Sequence, residues 1–121
     1  MKLKSKLGDF GEKVAVNYLK EKDYTICERN FRMGRYGEID IIAEKEGFLT
    51  FIEVKTRVSK LYGSPSEAVT WAKQKKIRRV AEYYLMITGK MSCMPVIAFD
   101  CIEIISDGKV VKELNHIQHC F

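Results

Sequence analysis

Two short runs of alternating apolar and charged residues constrain this chain most. The first is Gly37-Glu38-Ile39-Asp40-Ile41-Ile42-Ala43, and the second is Phe51-Ile52-Glu53-Val54-Lys55-Thr56-Arg57. Period-two alternation of this kind specifies strands with two unlike faces. The charged face is the unusual one, because Asp and Glu are poor strand formers. Glu44-Lys45-Glu46-Gly47 lies between the runs and supplies a charged, glycine-containing turn. A two-residue loop at Lys45-Glu46 and a four-residue loop at Glu44 to Gly47 give one register. Ala43 then faces Phe48, Asp40 faces Phe51 and Glu38 faces Glu53. Glu38, Asp40, Glu53, Lys55 and Arg57 share a face in that register. Asp40 and Glu53 become diagonal neighbours, roughly 7–8 Å apart at the backbone.

Asp40, Glu53 and Lys55 form a D-x12-E-x-K pattern. Metal-assisted phosphodiester hydrolysis wants this trio. Two carboxylates hold a hard cation such as Mg²⁺ or Mn²⁺, whose remaining positions take water and phosphate oxygens. A lysine beside it orients the attacking water or balances charge on phosphorus. The plain alternative is a solvated hairpin face on which Glu53 and Lys55 are same-strand charges.

The chain has 121 residues, 46% of them hydrophobic and 11% aromatic, which fits a single domain over residues 1–121 with one core. No apolar run approaches the ~20 residues of a membrane span. The basic start, Met1-Lys2-Leu3-Lys4-Ser5-Lys6, has no signal-peptide apolar core behind it, so a cytoplasmic protein is expected. Cys27, Cys93, Cys101 and Cys120 lack C-x-x-C spacing and are expected to be free, mostly buried thiols. His116, His119 and Cys120 cluster near the C-terminus, where packing is favoured over a metal site.

Net charge is +5, which favours a polyanionic partner. Lys73, Lys75, Lys76, Arg78 and Arg79 crowd one segment, and Arg29, Arg32 and Arg35 precede the first motif. Basic residues around an acidic cluster suit DNA, read through its phosphates with little sequence preference. Arg29, Arg57, Lys73, Lys75, Lys76 and Arg79 are the candidates for those contacts. For any one of them, an exposed helix or strand face is the simpler explanation.

The element order is legible. Residues 6 to 22 form a helix with an apolar stripe through Leu7, Phe10, Gly11, Val14, Ala15, Tyr18 and Leu19. Gly8 and Gly11 cost about 1 kcal/mol each inside a helix, so close approach to the sheet is expected there. Glu12 borders the stripe, either turned to the carboxylates or simply on the surface. A strand near 24 to 32 precedes the two motif strands. Ser64, Pro65 and Glu67 have the pattern of a helix start. Ile77, Val80, Ala81, Tyr84 and Leu85 form that helix's core stripe, and Gly89 is its C-terminal cap. A strand from Val96 to Ile105, a turn at Asp107-Gly108 and a strand from Lys109 to about Ile117 complete the chain. The sum is an α/β fold, αβββαβ plus a final strand, with helices covering a mixed sheet.

These residues resemble the YraN-like family of small bacterial proteins, a branch of the PD-(D/E)xK phosphodiesterase superfamily. The match spans nearly the whole chain. It includes Gly11-Glu12, Arg29-Asn30, Gly37-Glu38-Ile39-Asp40, Glu53-Val54-Lys55-Thr56-Arg57, Gly63 with Pro65, Lys73-Gln74, Phe99-Asp100, His116-Ile117 and Phe121. The resemblance implies a restriction-endonuclease-like fold close to that of archaeal Holliday-junction resolvases. It implies that Asp40 and Glu53 bind metal with the Val54 carbonyl, and that Lys55 is catalytic. It places Glu12 beside the metal and Gln74 near the site. It further implies a DNA nuclease acting on branched or recombination intermediates, or a nucleic-acid-binding module that kept the fold. Resolvase-like enzymes work as dimers, so a homodimer follows from the resemblance, although no residue marks its face. Two departures stand out. Ile39 replaces the motif's proline, and Ala98 replaces an arginine expected before Phe99-Asp100.

Overall fold

A parallel pair of strands inside an otherwise antiparallel sheet organises the molecule. The computed structural model describes residues 5–59, 69–93 and 95–121. Its elements run α1 (Lys6–Glu21), β1 (Thr25–Met33), β2 (Gly37–Lys45), β3 (Phe48–Arg57), α2 (Trp71–Thr88), β4 (Val96–Ser106) and β5 (Val111–Ile117). The strands form one sheet in the order β1-β2-β3-β4-β5. β3 and β4 are parallel, and the other neighbours are antiparallel. A parallel pair requires a crossover, and α2 lies within it. This is the restriction-endonuclease-like core with an extra C-terminal strand, as its sequence pattern implies.

Each face of the sheet carries one helix. Ala15, Val16 and Leu19 of α1 pack with Ile41, Ala43, Ile52, Ile102 and Ile104. Ile77, Val80, Ala81, Tyr84 and Leu85 of α2 pack with Ile42, Leu49, Phe51, Phe99 and Cys101. The α2 residues are the stripe read from its 3.6-residue period. Gly89 caps α2 in the left-handed conformation, with φ at 72°.

Two boundaries and one strand register differ from the sequence reading. α2 begins at Trp71, with the Thr70 hydroxyl accepting from Lys73 N–H at 3.2 Å. The cap at Ser64, Pro65 and Glu67 lies outside the described residues. β5 begins at Val111 because the Asp107 carboxylate accepts from Lys109 N–H at 2.8 Å and Val110 N–H at 3.0 Å, which prolongs the turn.

The β2–β3 register is the third difference. Lys45 pairs with Phe48 and Ile41 with Ile52, so the loop is Glu46-Gly47. Both loop residues have positive φ, 50° and 83°, which matches the type I′ hairpin turn. The register is displaced by two residues from the expected one. Its parity is unchanged, so the face assignment of β3 survives.

The cysteine expectation is also corrected. Cys101 and Cys120 form a disulfide with Cα atoms 6.1 Å apart, while Cys27 and Cys93 are free. The chain end returns over β4 to make this contact. Cys120 N–H donates to the Phe99 carbonyl at 2.8 Å, and Phe121 stacks on Phe99 with ring centroids 5.1 Å apart. His116 is enclosed between Tyr18 Oη at 2.9 Å and Asp100 Oδ2 at 2.6 Å. His119 N–H donates to Asp100 Oδ1 at 3.0 Å. His116 thus packs between α1 and β4, while His119 is exposed and ties the chain end down through its backbone N–H.

Candidate metal centre

β2 and β3 build the floor of the site where their ladder opens. The last paired residues are Ile41 and Ile52, and the same register sets Asp40 opposite Glu53. Their carboxylates lie close enough to interact. Val54 N–H, just past the paired stretch, donates to Asp40 Oδ2 at 2.9 Å. The alternation of β2 breaks at this point. Ile39 packs on the α2 side and Ile41 on the α1 side. Across from Asp40, Asn30 of β1 takes a left-handed φ of 51°. This break lies beside a carboxylate, where strand irregularities commonly re-aim a side chain.

α1 supplies the roof. A Cβ on Gly11 would lie 1.7 Å from Thr56 Oγ1, so only glycine permits this approach. The next residue, Glu12, is thereby carried into the cleft and is 4% exposed. The cleft has a volume of about 820 Å³ and is lined by Glu12, Asp40, Glu53, Val54 and Lys55, among others.

The electrostatics of Glu53 distinguish it from a surface glutamate. Burial first, and the neighbouring Asp40 carboxylate second, push its pKa up to about 7. Lys73 opposes that shift through an ion pair with Glu53 Oε1 at 2.9 Å. Glu53 Oε2 is buried and has no hydrogen-bond partner among the described residues. An orphaned carboxylate oxygen next to a second carboxylate suits a hard cation or a proton. Among the described residues no group of three or more His, Cys, Asp or Glu side chains is arranged to hold a metal. A cation here would take Asp40 and Glu53, with its other positions open to carbonyl, water and phosphate oxygens.

The remaining sequence candidates divide. Lys55 is exposed within the cleft, as its place on the Glu53 face requires. Lys73 and Lys76 of α2 line the same cleft. Lys75 and Arg79 do not. Lys75 lies over the Trp71 ring at 5.8 Å, and Arg79 pairs with Glu82 at 2.6 Å. Arg29 is exposed on β1, away from the lining residues. Arg57 is turned to β4, where its Nε donates to Glu103 at 2.7 Å in an ion pair whose Glu103 side chain is 3% exposed. Gln74 donates to the Val69 carbonyl at 3.0 Å, steadying the entry to α2 rather than lining the cleft.

The sequence reading did not assign Arg35 and Tyr36 to the site, yet both line its rim, as does Arg32. The signal was present. Gly34 and Gly37 bracket Arg35-Tyr36, and Gly34 has φ of 54°, so these residues form a tight β1–β2 turn just before Asp40.

With the geometry in hand, the comparisons with known proteins are specific. A model of the uncharacterised protein family UPF0102 matches residues 11–104, which contain every cleft side chain named above. A UPF0102 protein of Clostridium botulinum is 52% identical over 99 residues, 82% of this chain and 79% of its own length. Another, from Syntrophomonas wolfei, is 45% identical over 116 residues, 95% of this chain and 96% of its own. A third, from Clostridioides difficile, is 47% identical over 114 residues. The chain therefore belongs to family UPF0102, the YraN-like proteins, whose fold is related to that of the PD-(D/E)xK nucleases.

Proposed function

We propose that the chain is a metal-dependent phosphodiester hydrolase acting on DNA, with Asp40, Glu53 and the Val54 carbonyl as ligands for Mg²⁺ or Mn²⁺. One observation carries this reading. Glu53 is held beside Asp40 with a buried, unpartnered oxygen and a pKa near 7. Two carboxylates held together out of water destabilise a fold unless a cation or proton joins them. Strained charge of this kind concentrates at functional sites.

Asp40, Glu53 and the Val54 carbonyl would hold a divalent ion, which would supply Lewis acidity and a more acidic water. The chain supplies the rest. Lys55 is exposed two residues beyond Glu53. It orients the attacking water and balances charge that develops on phosphorus. Glu12, buried above the floor, helps position the cation or its water. Lys73 pairs with Glu53 here, and would be released to hold phosphate if a cation took over that charge. Arg32, Arg35 and Lys76 at the rim hold neighbouring phosphates. Branched and flapped DNA are the first substrates to test.

A non-catalytic DNA-binding module is the second reading. It is favoured by the Lys73–Glu53 pair, which already neutralises one carboxylate. Cleavage of labelled flap, four-way, duplex and single-stranded DNA separates the two. The hydrolase cuts at least one of them in Mg²⁺ or Mn²⁺, stops in EDTA, and loses activity in Glu53→Gln. Firm binding without cleavage by the wild type, across metals and substrates, selects the module.

A further inference from the structure

Two aromatic rings on this surface are exposed where burial would be expected. Tyr36 is 45% exposed and Trp71 is 70% exposed. Large aromatic side chains left in water are informative when they stand beside a functional cleft. Tyr36 stands on the β1–β2 turn at the cleft rim, four residues before Asp40. Trp71 opens α2 and lies outside the cleft lining, on the helix face that carries Lys75 rather than Lys73.

Each ring is matched with a lysine of α2. Lys76 Nζ lies 5.8 Å from the Tyr36 centroid, and Lys75 Nζ lies 5.8 Å from the Trp71 centroid. A ring with an ammonium over one face sets a flat apolar surface next to a phosphate-binding charge. That is the composition of sites that hold single-stranded nucleic acid, where bases stack and the backbone is neutralised nearby. A duplex keeps its bases stacked on one another and offers no free base face to a ring. For duplex alone, Arg32, Arg35 and the lysines would suffice, and exposed rings would add nothing.

We propose that Tyr36 is a stacking platform for an unpaired base at the rim of the cleft that holds the carboxylate pair, with Trp71, outside that cleft at the start of α2, a second platform for the strand beyond it. The site therefore takes DNA with single-stranded character next to the phosphate it holds. The proposal rests on the DNA reading of the cleft and narrows its substrate class. Tyr36 acts as a specificity residue, and it leaves the hydrolytic chemistry to the carboxylates and Lys55.

Trp71 is the only tryptophan in the chain, so its fluorescence reports on its surroundings directly. The experiment uses the full chain in EDTA, where binding is read without cleavage. The probes are a single-stranded oligothymidylate, a single-strand flap and a blunt linear duplex of equal charge. Oligothymidylate and flap should quench Trp71, and the duplex should not. Tyr36→Ala should weaken binding of the flap and the single strand by about five- to a hundred-fold, the range of one lost base stack. Its duplex affinity should stay within about two-fold, and Tyr36→Phe should behave as wild type. Lys76→Ala should weaken all three probes together, because it removes a phosphate contact.

Equal quenching by duplex and single strand overturns the proposal. So does a Tyr36→Ala variant that loses duplex and single-strand binding alike, or one whose defect tracks a change in oligomeric state. The outcomes are separable from those of the hydrolase reading. Selective loss of single-strand binding in a protein that never cleaves supports the platforms and removes the hydrolase. Cleavage with no single-strand preference does the reverse.

Discussion

Asp40 Oδ2 accepts a hydrogen bond from Val54 N–H at 2.9 Å, which ties the carboxylate of β2 to the residue between Glu53 and Lys55. This bond gives Asp40 two separable roles, one in shaping the cleft and one in holding a cation. Asp40→Asn keeps an acceptor for Val54 and removes a like charge from beside Glu53. Its metal-free melting temperature should equal or exceed that of the wild type, while Mn²⁺ binding by calorimetry is lost. Asp40→Ala leaves the Val54 N–H without its partner and should cost about 1–3 kcal/mol in chemical denaturation. Equal stability losses in both variants would leave Asp40 a structural residue only.

Glu53 sets a pH dependence with a definite sign. Its folded pKa is about 7 against an ordinary value of 4.5, so between these values the folded protein binds more protons than the unfolded one. Stability of the metal-free protein should fall as pH rises from about 4.5 to about 7, then level off. For a shift of this size the ceiling is about 3 kcal/mol. Glu53→Gln should flatten that limb of the urea-derived stability curve. Divalent cations should bind more tightly through the same window, since they compete with the proton. A curve rising through this range, or one that Glu53→Gln leaves unchanged, contradicts the electrostatic account.

The chain end depends on Cys101–Cys120, a link between residues 19 apart. Closing a loop of this length contributes about 3 kcal/mol. Cys120→Ser and reduction should each lower stability by that order, and their effects should not add. Thiol titration of the unfolded, unreduced chain should find Cys27 and Cys93 alone, and four thiols after reduction. Four thiols before reduction, or additive losses, would show that the link does not operate in solution.

Much of this architecture is written in local chemistry. The α2 stripe from Ile77 to Leu85 follows from helical period, and the Gly89 cap follows from the need for positive φ. Gly11 is legible as an oddity within a helix, and its contact with Thr56 explains it. The Glu53–Lys55 part of the site is legible because alternation puts both on one face of β3, whereas Asp40 meets Glu53 where the alternation of β2 breaks. What the sequence left open is tertiary. The hairpin register turned on whether Lys45 or Gly47 entered the loop, and the left-handed φ of both Glu46 and Gly47 decided it. Arg57 looked like a phosphate ligand because Glu103 is 46 residues away in sequence and is brought beside it only by the parallel β3–β4 pair. Cys101 and Cys120 likewise meet only because the chain end folds back over β4. Tyr36 escaped notice because period-two patterns reveal strands, and it lies in the turn between two of them.

The most direct test of the central claim compares wild type with Lys55→Ala in single-turnover cleavage of flap DNA. Mn²⁺ affinity and DNA affinity are measured on the same samples. Lys55 is exposed, and its proposed work lies on the water and the transition state. The variant should therefore fold normally, bind Mn²⁺ as the wild type does, retain most of its DNA affinity, and cleave at least about a hundred-fold more slowly. Cleavage at the wild-type rate by Lys55→Ala, or none by the wild type in Mg²⁺ or Mn²⁺, would contradict the assignment of this cleft as a phosphodiesterase site.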